Sequence, residues 1–149
     1  MTQQRALPDL AAMNDFGRRI AAVLKAGDVV ALSGSLGAGK TTLARAILAG
    51  LGYSGEVPSP TFTIMEMYEP PAIWLPVVHA DFYRLNGVHE VEELGLGSLR
   101  GNAALLAEWP ERTGGFAHEA ACLGIELLFE GEGRLAVLTR GADWKGREI

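Results

Sequence analysis

The sequence holds 149 residues, with 13 Lys and Arg against 18 Asp and Glu for a net charge of −5, and 48% of it is hydrophobic. A chain of this length suits one globular domain that buries about two-thirds of its unfolded surface, which excludes a helicase, a multidomain motor or a long solenoid. The acidic balance argues against broad gripping of a phosphate backbone, since that affinity comes from clustered Lys and Arg. Any involvement with nucleic acid is expected to run through a partner.

Cys122 is the single cysteine, so a disulfide-stapled secreted scaffold is excluded. Met1 to Leu10 lacks the basic patch and apolar core of a signal peptide. The longest uncharged apolar run near the middle, Pro70 to Ala80, is interrupted by prolines and falls short of the about 20 residues that a membrane helix needs. A cytoplasmic location without membrane contact is therefore expected.

In chain order, Met13, Phe16, Ile20, Val23 and Leu24 recur at helical spacing after a polar opening, with Asn14 or Asp15 as the cap and Gly27 as the C′ stop. Asp28 to Ser33 reads as a short buried strand, Gly34 to Gly39 as a glycine-dense turn. Lys40 to Leu51 reads as a helix with Leu43, Ile47, Leu48 and Leu51 on one face, stopped by Gly50 and Gly52. Thr61 to Glu69 is rich in β-formers, and Pro70-Pro71 turns it toward the apolar stretch Ile73 to Asp81. Pro76 has no N–H to give a ladder, so the paired strand is expected to start at Val77. His89 to Leu94 reads as a short acidic helix whose Glu90, Glu92 and Glu93 form a solvated face or, as the alternative, a docking patch for a basic partner surface. Ala103 to Ala107 reads as a buried strand ending at Glu108-Trp109-Pro110. Alternation of Leu123, Ile125, Leu127 and Phe129, the turn Glu130 to Gly133, and Leu135, Val137 and Thr139 predict a terminal antiparallel hairpin. The fold class is α/β and P-loop NTPase-like: a mostly parallel central sheet flanked by helices, with antiparallel edge hairpins, as one domain over residues 1–149.

The sharpest motif is Gly34-Ser35-Leu36-Gly37-Ala38-Gly39-Lys40-Thr41, which fits G-x-x-x-x-G-K-[ST] without a mismatch. Glycines at 34, 37 and 39 let the backbone curl so that its N–H groups face phosphate oxygens, and the following helix adds its positive end. Lys40 supplies a charge for the β- and γ-phosphates, and the Thr41 hydroxyl is suited to Mg²⁺. A GTPase would need Asn-Lys-x-Asp, a string that is absent. The carboxylate such sites use beside that hydroxyl should end a buried strand, and both Asp81 and Glu108 fit.

Gly34 to Thr42 (GSLGAGKTT), Ser59 to Ile64 (SPTFTI), His79 to Leu85 (HADFYRL) and Glu108-Trp109, in this order and spacing, resemble the TsaE (YjeE) ATPases. The resemblance covers about Leu10 to Thr139. It implies a small cytoplasmic ATPase that binds ATP or ADP with Mg²⁺ and serves the TsaD–TsaB heterodimer in making threonylcarbamoyladenosine on tRNA, touching tRNA only through that complex. Carried across, it implies that Gly34, Ser35, Leu36, Gly37, Ala38, Gly39, Lys40, Thr41 and Thr42 hold the phosphates. Thr41 and Glu108 would ligate Mg²⁺, Asp81 would help activate water, and Thr61 would lie nearest the γ-phosphate in a switch-like loop from Ser59 to Thr63. Trp109 belongs to the pattern, facing nucleotide or partner or simply packing. Position 35 is Ser where the family often has Asp, which leaves the backbone cradle intact and puts a side-chain role there in doubt.

Arg134, after the terminal hairpin turn, is a further candidate to reach the nucleotide. His79 at a strand end reads as structural more readily than catalytic, and Arg84 as a surface ion pair or a transition-state cation. Two other readings stand beside the ATPase. A small-molecule kinase would need an arginine-bearing lid, and Arg112 is the only arginine between Arg100 and Arg134. A nucleotide-sensing interaction module would bind without meaningful turnover.

Overall fold

The structure, a computed structural model, describes residues 2–60 and 64–149. Its strands are β1 (Thr2–Leu7), β2 (Val29–Gly34), β3 (Met65–Tyr68), β4 (Val77–Asp81), β5 (Ala104–Glu108), β6 (Cys122–Glu130) and β7 (Gly133–Arg140). They form one sheet in the order β1-β7-β6-β2-β5-β4-β3. The centre β6-β2-β5-β4 is parallel, while β1, β7 and β3 add antiparallel pairs at the two edges. This is the α/β architecture expected, a mostly parallel sheet with antiparallel edge hairpins.

The two central strands carry nearly unbroken apolar runs because both of their faces are covered. On one face, Val30, Leu32, Leu106, Leu123 and Ile125 pack under helices α1 (Leu10–Val23) and α2 (Lys40–Gly50) through Phe16, Ile20, Leu43 and Ile47. On the other face, Val29, Ala31, Val78, Ala80, Leu105 and Ala107 meet Phe82, Leu96 and Phe116. Leu96 belongs to α4 (Leu96–Leu99), which follows the short acidic helix α3 (Val88–Glu93). Glu92 and Glu93 of α3 are exposed, as its charge pattern predicts.

Helix α1 starts earlier than its periodicity suggested. The cap is Asp9, not Asn14 or Asp15: its carboxylate accepts the Ala12 amide at 2.9 Å. Leu10 and Ala11 are exposed, so they lie off the buried stripe that begins at Met13. Asp15 instead pairs with Arg18 and Arg19, each at 2.8 Å. Nor does Gly27 close the helix. Leu24 is already extended, and Gly27, at φ +89°, turns the chain into β2.

The Pro70-Pro71 segment joins β3 to β4 as an antiparallel pair, and β4 begins at Val77 as the missing N–H of Pro76 dictates. Of the stretch expected to be β-rich from Thr61, Met65 is the first residue of β3; Thr61 to Thr63 lie outside the described residues. The terminal hairpin pairs Glu130 with Gly133 as predicted. The sequence before α1 shows only a polar opening, and the structure makes it strand β1. It pairs along its whole length with β7, Thr2 opposite Thr139 and Leu7 opposite Arg134. No helix among the described residues is long and apolar enough to cross a membrane.

Candidate functional site

Strands β2, β4 and β5 end side by side, and their carboxyl ends open on one cavity, the usual place for a ligand in a parallel sheet. The loop from Gly34 to Gly39 runs from the end of β2 to the first turn of α2. Gly34, Gly37 and Gly39 have φ of +139°, +80° and +108°, backbone that side-chain-bearing residues rarely adopt. Gly34 is constrained twice, because a Cβ there would lie 2.5 Å from the Leu127 carbonyl oxygen. Glycine at 34 therefore lets the loop lie directly on β6.

Lys40, the first residue of α2, turns back over the loop. Its ammonium donates to the carbonyls of Gly34 at 2.7 Å and Ser35 at 2.9 Å, and lies 4.3 Å from the centroid of the Trp109 ring. Burial holds the Lys40 pKa below its ordinary value, against the upward pull of Glu108, Glu111 and Asp81. Thr41 donates its hydroxyl to Glu108 Oε1 at 2.7 Å. Glu108 Oε2 lies 2.6 Å from His79 Nε2, and both side chains are buried. Asp81 is the register partner of Glu108 on the neighbouring strand, and its Oδ1 accepts the Tyr83 amide at 2.9 Å.

The cavity has a volume of about 320 Å³, and Lys40, Thr41, Asp81, Glu108 and Trp109 line it together with Ser59. The two carboxylates posed as alternatives from the sequence thus stand in the same site. Thr42, Gly37 and Gly39 are shared with an adjoining cavity of about 240 Å³, walled by Leu7, Leu10, Met13 and Arg134. Ser35 and Leu36 lie exposed on the rim, whereas Ala38 is buried under the loop. Thr61 lies outside the described residues.

Arg134 meets the loop from its outer side. Its guanidinium donates to the carbonyls of Ala38 at 2.9 Å and Gly37 at 3.2 Å and stacks on Phe129 at 4.3 Å. Trp109 stands in left-handed backbone at φ +57°, with the Tyr83 ring 4.8 Å away and Arg112 in turn 5.0 Å from Tyr83. Two features went unread in the sequence: the pairing of His79 with Glu108, and the share of Leu7 and Met13 in the second cavity. The first could be suspected from strand alternation, because His79 and Asp81 are two apart and face the same way. The second depends on where β1 pairs, for which nothing local signals.

Among the described residues, no group of three or more His, Cys, Asp or Glu side chains forms a metal cage. The oxygens of Thr41 and Glu108, within 2.7 Å of each other, are nonetheless the hard donors a Mg²⁺ ion takes. They suit an ion that completes its shell with phosphate oxygens and water. The donor set fits magnesium bound with a nucleotide rather than alone.

Residues 7–135 match the family model for "Threonylcarbamoyl adenosine biosynthesis protein TsaE". The chain belongs to the TsaE family. The TsaE of Streptomyces coelicolor, a tRNA threonylcarbamoyladenosine biosynthesis protein, is 47% identical over 100 residues, covering 66% of this chain and 68% of its own. The TsaE proteins of Synechocystis and Haemophilus influenzae are 43% and 37% identical, the matches covering 71% and 78% of this chain and 69% and 77% of theirs. The crystal structure of Bacillus subtilis YdiB superposes with a TM-score of 0.73 at 27% identity, over 96% of this chain and 88% of that one. A TsaE protein takes part in a tRNA modification.

Proposed function

We propose that this TsaE-family chain is a P-loop ATPase that binds ATP or ADP with Mg²⁺ in the cytoplasm. It hydrolyses ATP slowly, in support of a TsaD–TsaB complex that forms threonylcarbamoyladenosine on tRNA. The observation carrying this reading is the convergence of Lys40, Thr41, Asp81 and Glu108 on the cavity bounded by the glycine loop.

The loop amides and the N-terminus of α2 receive the phosphates. Lys40 leaves the Gly34 and Ser35 carbonyls for phosphate oxygens, trading neutral acceptors for charged ones. Thr41 and Glu108 hold the metal, which when bound neutralises charge on the phosphate oxygens. Asp81 orients the water that attacks the γ-phosphorus, and ADP leaves with the bridging oxygen. The adjoining cavity of Leu7, Leu10 and Met13, beyond Thr42, takes the nucleoside. No arginine is among the described residues lining the phosphate cavity, so transition-state charge rests on Lys40 and the metal. That motivates slow turnover by the chain alone. With a net charge of −5, contact with tRNA is left to TsaD and TsaB.

Calorimetric titration with ADP and Mg²⁺, beside phosphate release with and without TsaD and TsaB, tests the proposal. Lys40→Ala should weaken nucleotide binding about 10- to 100-fold with the melting temperature retained, the loss of a charge-assisted contact. Asp81→Ala should lower turnover more than ADP affinity. Absence of nucleotide binding by the unaltered chain would overturn the reading, as would fast hydrolysis indifferent to the partners.

A further inference from the structure

His79 is completely buried in the middle of β4, on the face that carries Asp81 at the strand end. Its Nε2 lies 2.6 Å from Glu108 Oε2, and among the described residues its Nδ1 has no hydrogen-bond partner. An ionised carboxylate only accepts, and Oε1 already receives the Thr41 hydroxyl, so Nε2 is the nitrogen that carries the proton. Among the described residues the imidazole thus makes one polar contact, with Glu108.

Burying a ring with one nitrogen unpaired is unfavourable, and an apolar side chain would fill this buried site at less cost. What the histidine adds is a fixed donor behind Glu108. The carboxylate is clamped at both oxygens: Oε2 by an imidazole on a buried strand, Oε1 by a hydroxyl at the mouth of the site. These two clamps differ in kind. The Thr41 hydroxyl can turn its hydrogen away when its oxygen takes a cation, which frees Oε1. The His79 ring has no such freedom, so Oε2 stays held and Oε1 stays aimed at the site. Without that donor, Glu108 could rotate about its terminal torsion, which is broad and roughly two-fold.

We propose that His79 is a positioning residue that orients Glu108 toward a divalent cation, so that metal affinity depends on a side chain that never touches the metal. The inference rests on the ATPase reading above, because it needs Glu108 as a ligand. Outer-shell partners of ligating carboxylates commonly set metal affinity to this degree.

The test measures Mn²⁺ binding to the ADP-loaded chain by electron paramagnetic resonance, beside ADP affinity without metal and the melting temperature. His79→Leu should weaken Mn²⁺ about 10- to 100-fold while metal-free ADP affinity stays unchanged. A second pair of variants separates positioning from packing. His79→Gln can present its amide N–H₂ where Nε2 stood, and should return Mn²⁺ affinity to within about threefold of the unaltered chain. His79→Asn, of similar polarity but too short to reach Glu108, should stay weak. Equal Mn²⁺ affinity in the Gln and Asn variants, or unaltered affinity in His79→Leu, would overturn this inference while leaving the ATPase reading intact. An unaltered chain that binds neither ADP nor Mn²⁺ would overturn both.

Discussion

At the scale of single residues, the groups that perturb one another are those the fold buries together. Thr41, Glu108 and His79 form one run of hydrogen bonds, and Lys40, next to Thr41 in the chain, lies on the Trp109 face. Lys40 and Thr41 were legible because their motif is contiguous and has a chemical reason at every position. His79 was not, since its meaning comes from a neighbouring strand. Cys122 gives this scale its pH prediction. Burial pushes its thiol up to about 11 from an ordinary 9.0. Between those values the unfolded chain loses the proton first, so it binds fewer protons than the native state and stability falls as pH rises. Over that interval the loss should be on the order of 2–3 kcal/mol. Urea denaturation at pH 8 and pH 11 should show it, and Cys122→Ala should show a correspondingly smaller drop. An identical drop in both proteins would refute it.

Among the elements, the packing of α1 on α2 sets where the N-terminus of α2 points. Two glycines make the approach possible. A Cβ on Gly17 would lie 2.4 Å from the Ala46 Cβ and 2.8 Å from its carbonyl carbon, and one on Gly50 would lie 2.7 Å from the Ala21 Cβ. Helix propensity alone favours alanine at Gly17 by about 1 kcal/mol. Overpacking against backbone outweighs it, so Gly17→Ala should destabilise the chain by about 1–3 kcal/mol. A Cβ on Gly97 in α4 would meet nothing within 4 Å among the described residues, and Gly97→Ala should be neutral or mildly stabilising. Comparing the two by chemical denaturation checks the claim, and equal effects would refute it. From composition the two glycines look alike. The strand–loop–helix unit of β2 and α2 was legible because it is local, with apolar periodicity on either side of the glycines. The true start of α1 was missed because an exposed first turn carries no periodicity and the Asp9 cap lies outside the apolar stripe.

Over the whole molecule, the chain end is locked to the far end of the central strand from the phosphate cavity. Arg147 lies 2.6 Å from Asp28 through one nitrogen and 3.2 Å through another, donates to the Val23 carbonyl at 3.1 Å, and covers the buried Trp144 ring at 4.3 Å. Removing one member of a buried pair leaves the other's charge poorly compensated. Arg147→Ala should therefore cost about 3–5 kcal/mol. Because Asp28 precedes β2 and the glycine loop follows it, metal-free ADP affinity of the folded variant should be unchanged. A denaturation curve and a titration on the same sample measure both; a stability loss under about 1 kcal/mol would contradict the buried-pair account.

Composition, periodicity and one contiguous motif were enough to determine an α/β chain, its central strands, its terminal hairpin and its glycine loop, whereas the family showed only in the resemblance of four motifs in order. The former are written in residues near one another along the chain. Strand order, the pairing of β1, the meeting of Asp81 with Glu108 and the histidine behind Glu108 were decided by tertiary structure alone. Strand β1 is polar and mostly exposed, so its place comes from the hydrogen bonds β7 offers rather than from any apolar pattern of its own. The same holds for the site: a carboxylate's role depends on which strand end lies beside it, and that neighbour comes from a distant part of the sequence.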